Sequence, residues 1–359
     1  MKKAIYLKYL LTIITLLSLH SNSISYAQNL ESKIDSLLQE KYPANAPGAT
    51  FLIAKRGNII YKKAFGLSNL ELNVAMKPNN VFEIGSMTKQ FTAISILMLV
   101  EKGKLNLNDE ITKFIPDYPT NGHKITIHHL LTHTSGIKDF TRTQGLNEIS
   151  KKDLTPTELI DFFKNEPMDF IPGEQFKYNN SGYILLGYII ETITGQSYAN
   201  FVEEQNFKKL EMTSSQYASH KKVIQNRASG YQNKEGYINS REISFTLPYA
   251  SGSLMSTGDD MFKWQEAIKK NLLIGKEMTE KAFTNYVLNN GENINYGYGW
   301  HIKTINNIRS FEHGGSIFGF KSMGVYFPDS DIYVIGLNNC DCNSPTKITS
   351  KIAELATKY

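Results

Sequence analysis

Hydrophobic and polar positions divide the chain into a strand-rich pattern at both ends and a helix-rich pattern between them. Residues 30–41 and 346–358 repeat apolar positions at helical spacing. Just inside them lie short apolar runs of strand length. Runs 49–54 and 59–65 flank Lys55-Arg56-Gly57-Asn58, a hairpin signal with Gly57-Asn58 as the turn. Runs 320–327 and 332–337 flank Pro328-Asp329-Ser330-Asp331, a second hairpin. Segments 296–305 and 307–312 read as further strands. The middle is helical. Residues 88–102 place Phe91, Ile94, Leu97 and Met98 at helical offsets. Thr155-Pro156-Thr157-Glu158 is a capping pattern opening a helix to about residue 164. Segment 183–194 is strongly apolar, with Gly195 as its stop, and 200–209 and 259–270 are two more helices. This predicts an α/β fold: an antiparallel sheet built from both chain ends and flanked by helices, with a mostly helical subdomain inserted at roughly 105–225.

The first residues have a different pattern. Lys2, Lys3 and Lys8 precede an apolar run, and Ser25-Tyr26-Ala27 forms a small-x-small site. Residues 1–27 are therefore expected to be an export signal, and 28–359 one exported domain, periplasmic or secreted. The apolar run is short for a membrane span, and no later segment matches one, so no integral membrane segment is expected after signal removal. Removing 1–27 takes three lysines and no acid, lowering the formal charge from +5 to +2. No basic run is interleaved with aromatics, which argues against nucleic acid as a partner. With 41% hydrophobic and 20% charged residues, a core can form without staples. The two cysteines, Cys340 and Cys342, are two apart at a strand end. On an extended strand both would point to one face, so they are read as two thiols and not as a disulfide.

Three elements carry candidate chemistry. In Gly85-Ser86-Met87-Thr88-Lys89, helical spacing sets Ser86 and Lys89 on one face, with Cβ atoms roughly 5–6 Å apart. A serine hydroxyl needs a base, and a lysine is a base only where burial or a neighbouring cation makes it neutral. Three other Ser-x-x-Lys pairs exist, but only Ser86 follows a glycine at the start of a long apolar helix. In Lys177-Tyr178-Asn179-Asn180, Tyr178 could relay protons and Asn180 could hold lysine and substrate. In His313-Gly314-Gly315-Ser316, at the end of a strand, two glycines would admit a substrate to the strand edge. The amide of Ser316 could then join that of Ser86 in an oxyanion hole. His129 and His133 are four apart, but no Glu stands at position 130, and they are expected to cap or brace a loop and not to bind metal.

In this order the three elements resemble the serine β-lactamase and penicillin-binding protein superfamily. Leu130–Ile137, Asn180–Tyr183 and Ser251–Thr257 look like stretches of it too. Tyr178-x-Asn180 is most similar to the class C β-lactamase-related branch with its esterase and D-aminopeptidase relatives. The resemblance implies a serine hydrolase, with no cofactor, that forms an acyl-enzyme with a small-molecule or peptide substrate, of the D-amino-acid peptide or carboxylester class. Ser86, Lys89 and Tyr178 would be catalytic, and Asn180, His313, Gly315 and Ser316 substrate-binding. The lactamases of the family carry Lys-Thr-Gly where this chain has His313-Gly-Gly, so a true β-lactamase is the first alternative. A catalytically silent binding protein is the second. His313 would contact substrate or hold Tyr178. Substrate choice is assigned to loops 138–152 and 223–245.

Overall fold

A computed structural model describes residues 29–358; the expected export signal lies outside them. Its centre is a six-stranded antiparallel sheet. The strands are β1 (Ala49–Lys55), β2 (Asn58–Phe65), β3 (His301–Ile305), β4 (Ile308–Ile317), β5 (Phe320–Phe327) and β6 (Ile332–Asn338), in spatial order β3-β4-β5-β6-β1-β2. The two chain ends meet where β1 pairs with β6, from Ala49 opposite Asn338 to Lys55 opposite Ile332. The β1–β2 hairpin forms, but its turn is Arg56-Gly57, both at positive φ, with Asn58 already paired to Lys55. Two left-handed residues in a two-residue loop match the twist of the strands they join, and this sets the turn one residue earlier than Gly57-Asn58.

Alternation along the strands divides the core. Phe51 and Ile53 of β1, with Val325, Val334 and Phe327, face a helix over residues 29–41 (α1) and the C-terminal helix α5 (Thr346–Thr357). Leu52, Ala54, Ile335 and Leu337 face the opposite way, into the main core. That core is organised by α2 (Thr88–Glu101), α3 (Asn180–Thr194) and α4 (Gly258–Lys269). The spacing of α2 suggested one buried stripe, yet every residue from Thr88 to Leu99 is buried. The helix is enclosed on every side, so it has no solvent-facing side, and its polar residues, Lys89 among them, are buried with the apolar ones.

Thr155 and Glu158 form the expected capping box. The α3 helix begins at Asn180, earlier than its apolar run, because the Asn179 side chain accepts from the Gly182 amide at 2.8 Å and caps it. Residues 296–300 do not extend β3. Gly297 packs its Cα against the Ala282 carbonyl, Gly299 lies at positive φ, and the segment buries Tyr296, Tyr298 and Trp300 without a ladder. β4 runs longer than expected, through His313-Gly-Gly to Ile317. No helix among the described residues is long and apolar enough to cross a membrane.

Cys340 and Cys342 form a disulfide, in place of the two expected thiols. The chain turns after β6 instead of staying extended, so the two Cα atoms are 5.1 Å apart, whereas an extended pair two residues apart would be separated by about 6.6 Å.

The packing of α5 on the sheet yields a stability prediction. Ile352 is fully buried against it. Ile352→Ala should cost about 2–5 kcal/mol, read as a lower urea midpoint, while Lys351→Ala on the exposed side of the same helix should leave the midpoint nearly unchanged.

Candidate active site

Ser86 sits in a short 3₁₀ turn, Gly85–Met87, that leads directly into α2. Gly85 is at positive φ (51°), and a methyl group on it would lie 2.9 Å from the Ser316 nitrogen. Glycine is thus required for conformation and for contact. Gly315 is required on the facing side, where a Cβ would lie 1.9 Å from the Ile84 carbonyl oxygen. The Ser322 hydroxyl of β5 donates to that same carbonyl at 2.8 Å. These contacts press β4 against the segment that bears Ser86, and Ser86 and Ser316 both line one cleft. β3 begins at His301, opposite Glu312, so β4 beyond His313 has no strand on that side. Its other edge is fully paired, with Gly315 opposite Ser322.

Lys89 is the second residue of α2, three after Ser86, and is 0% exposed. Its Nζ is 3.3 Å from Ser86 Oγ and donates to Asn180 Oδ1 at 2.8 Å and to the Ser251 carbonyl at 2.9 Å. It also lies 4.8 Å from the centre of the Tyr178 ring and 5.5 Å from that of Tyr183. Burial pushes its pKa down to about 7, against a smaller upward pull from Asp139. A neutral amine has two protons and one lone pair. Asn180 and Ser251 take the two protons, which leaves the lone pair for the Ser86 hydroxyl.

Tyr178 stands two residues before α3, with its ring 4.4 Å from that of His133 and 6.0 Å from that of His313. Its hydroxyl is buried and makes no hydrogen bond of good geometry, although Ser86 is near enough to favour ionisation slightly. Burial dominates and raises the phenol well above its usual range, so the resting phenol keeps its proton. Asn180 is held by Asp139, which is 4% exposed. Asp139 Oδ2 accepts from the Asn180 amide at 2.9 Å and from its Nδ2 at 3.1 Å, turning Oδ1 toward Lys89.

His313 is 2% exposed and does not line the cleft. It lies mid-strand, opposite Gly324, and not at a strand end. The Nδ1–H donates to the Gly314 carbonyl at 2.6 Å, and Nε2 accepts from Tyr296 at 3.2 Å. Burial, reinforced by His301 and Lys89, holds it neutral, with its pKa well below the usual histidine range. The ring thus sits away from the cleft lining, bonded to the Gly314 carbonyl of the strand that carries Ser316. His129 completes a capping box with Thr126, and His133 Nδ1 accepts from the Asn179 amide at 3.1 Å. Both thus cap or brace their loops, as their sequence context suggested.

The cleft has a volume of about 450 Å³. Ser86, Tyr178, Asn180 and Ser316 line it, and Phe140, Leu146, Ile243, Leu247 and Phe318 supply apolar walls. Phe140 and Leu146 belong to loop 138–152 and Ile243 to loop 223–245, the two segments expected to shape it. Sequence reasoning missed Asp139, the Ser251 carbonyl and Asp341. The first two lie in or beside stretches that carried the family resemblance; Asp341 had no such signal.

The Beta-lactamase family matches residues 34–355. Penicillin-binding protein 4* of Bacillus subtilis is 31% identical over 328 residues, covering 87% of this chain and 72% of that protein. Protein flp of Staphylococcus aureus (strain MRSA252) is 27% identical over 330 residues, and the chain spans 65% of its length. Among solved structures, the octameric penicillin-binding protein homologue from Pyrococcus abyssi superposes with a TM-score of 0.78 at 32% identity, covering 91% of this chain and 77% of that one. D-amino acid amidase from Ochrobactrum anthropi SV3 superposes at 0.80 with 22% identity, covering 92% and 99%, and so shares the fold. With this match over nearly the whole described chain, and with Ser86, Tyr178 and Ser316, one from each of the three elements, lining one cleft beside the buried Lys89, the protein is a member of the Beta-lactamase family.

Proposed function

We propose that the protein is a serine hydrolase that cleaves an amide, peptide or ester bond through an acyl-enzyme on Ser86. The observation that carries this reading is the Lys89 amine, fully buried, 3.3 Å from Ser86 Oγ, with its two other hydrogen-bonding directions engaged. Neutral Lys89 takes the Ser86 proton as Oγ attacks the carbonyl. The amides of Ser86 and Ser316 receive the oxyanion; one such donor lowers a barrier by about 3 kcal/mol. Tyr178 gives its proton to the leaving group, and the phenolate that forms lies beside the new Lys89 ammonium. Water then loses a proton to the Tyr178 phenolate as it attacks the acyl carbon. Collapse returns the Lys89 proton to Ser86, so each group ends as it began. His313 acts by holding the strand that carries Ser316.

The substrate class we favour is a D-amino-acid peptide, amide or carboxylic ester. The apolar walls suit a hydrophobic acyl or side-chain group. Residue 313 is a buried neutral imidazole where the lactamases of the family carry lysine, so it provides no fixed cation for a β-lactam carboxylate. We further propose that the protein is exported. The 1–27 pattern supports this, as does the Cys340–Cys342 disulfide, which persists in oxidising compartments.

Two measurements test the reading. A fluorophosphonate probe should add one mass increment to the intact protein and none to Ser86→Ala; equal labelling of both would refute the assignment. In the pH profile of acylation, the active form of Lys89 is the neutral one. Since its pKa is about 7, kcat/KM should rise from pH 5.5, pass half-maximum near 7 and level off above. His313 is neutral throughout that range and should add no limb; activity that falls between pH 6 and 8 would contradict both assignments.

A further inference from the structure

Among the described residues that line the cleft, Asp341 is the one that carries a full charge. It is not a solvated chain end. Its backbone amide donates to the Tyr231 carbonyl at 3.2 Å, and Gln232 Nε2 donates to its Oδ2 at 2.7 Å. The disulfide joins its two neighbours in sequence, Cys340 and Cys342, and Cys340 is buried. Asn343 anchors the far side of this turn, with Nδ2 donating to the Lys41 carbonyl at 2.8 Å. The carboxylate is therefore held at the cleft by a backbone bond, a side-chain bond from a neutral amide and a covalent loop.

We infer that Asp341 forms a subsite for a cationic group on the substrate, so that the enzyme prefers acyl donors bearing a free ammonium over acylated or anionic ones. This rests on the hydrolase reading above and names the substrate class of that same site. Gln232 occupies Oδ2, which leaves Oδ1 to accept from an ammonium. In a cleft with apolar walls a charge pair is screened less than at an open surface. The same carboxylate repels a substrate carboxylate, which adds selection against the wrong ligand to attraction for the right one.

The test compares D-phenylalanine methyl ester with its N-acetyl derivative, and uses p-nitrophenyl acetate as a small neutral ester. The native enzyme should favour the ammonium ester in kcat/KM. Asp341→Asn should lower that preference by about tenfold, the scale of one partly desolvated ion pair. Asp341→Glu should keep the preference, which a purely structural role would not require. An enzyme with no preference for the ammonium ester, or a preference that survives in Asp341→Asn, would overturn the subsite. If p-nitrophenyl acetate is not turned over, or is turned over equally by Ser86→Ala, the hydrolase reading itself fails.

Discussion

The site depends on the removal of one amine from water. Lys89 is carried on a helix buried from Thr88 to Leu99, and a lysine there must either find strong anionic compensation or become easy to deprotonate. The protein supplies only neutral acceptors, an amide oxygen and a backbone carbonyl, and keeps its nearest carboxylate, Asp139, one residue removed behind Asn180. Had Asp139 paired directly with Lys89, the amine would be a fixed ammonium and Ser86 would have no base. With Asn180 between them, the carboxylate fixes the amide's orientation while the amine stays near neutrality.

The rest of the architecture brings other groups to that amine with little freedom. The sheet, closed by both chain ends, presses β4 against Ile84–Ser86 through contacts that only glycine allows at 85 and 315. A second antiparallel sheet, with Phe82–Glu83 paired to Leu254–Ser256, ties the same segment to the stretch that bears the Ser251 carbonyl. Asn179 caps α3 and so fixes Tyr178 and Asn180 on either side of itself. The buried histidines act as spacers: His133 receives the Asn179 amide, and His313 links Tyr296 to the Gly314 carbonyl. Their burial keeps them neutral, so they add shape without adding charge to the field around Lys89.

Local signals made much of this legible. The hairpins, the capped helices and the Ser86–Lys89 spacing follow from periodicity and capping chemistry, which act over a few residues. The union of Ser86 with Tyr178 and Asn180 does not; family resemblance suggested it, and the packing of α3 on α2 achieves it. Errors came where tertiary contacts overrode local preference. Gly314-Gly315 looked like a strand end because glycine weakens strands, yet the ladder to β5 and the close approach of Ile84 keep β4 extended through it. Cys340 and Cys342 looked unpaired because an extended chain was assumed where the chain turns. Asp341 and Asp139 were invisible for a simpler reason: an aspartate in a loop reads as solvated unless the fold reveals what it faces.

The central claim is that burial, outweighing the pull of Asp139, tunes Lys89, and titration of that side chain tests it most directly. In protein labelled with lysine carrying ¹³C at the ε carbon, one resonance should be missing from the Lys89→Met spectrum. That resonance should titrate with a midpoint of about 7, while exposed lysines titrate at about 10.4. A Lys89 resonance that titrates with the exposed lysines would show the amine to be a permanent cation in the resting protein, and would contradict the account.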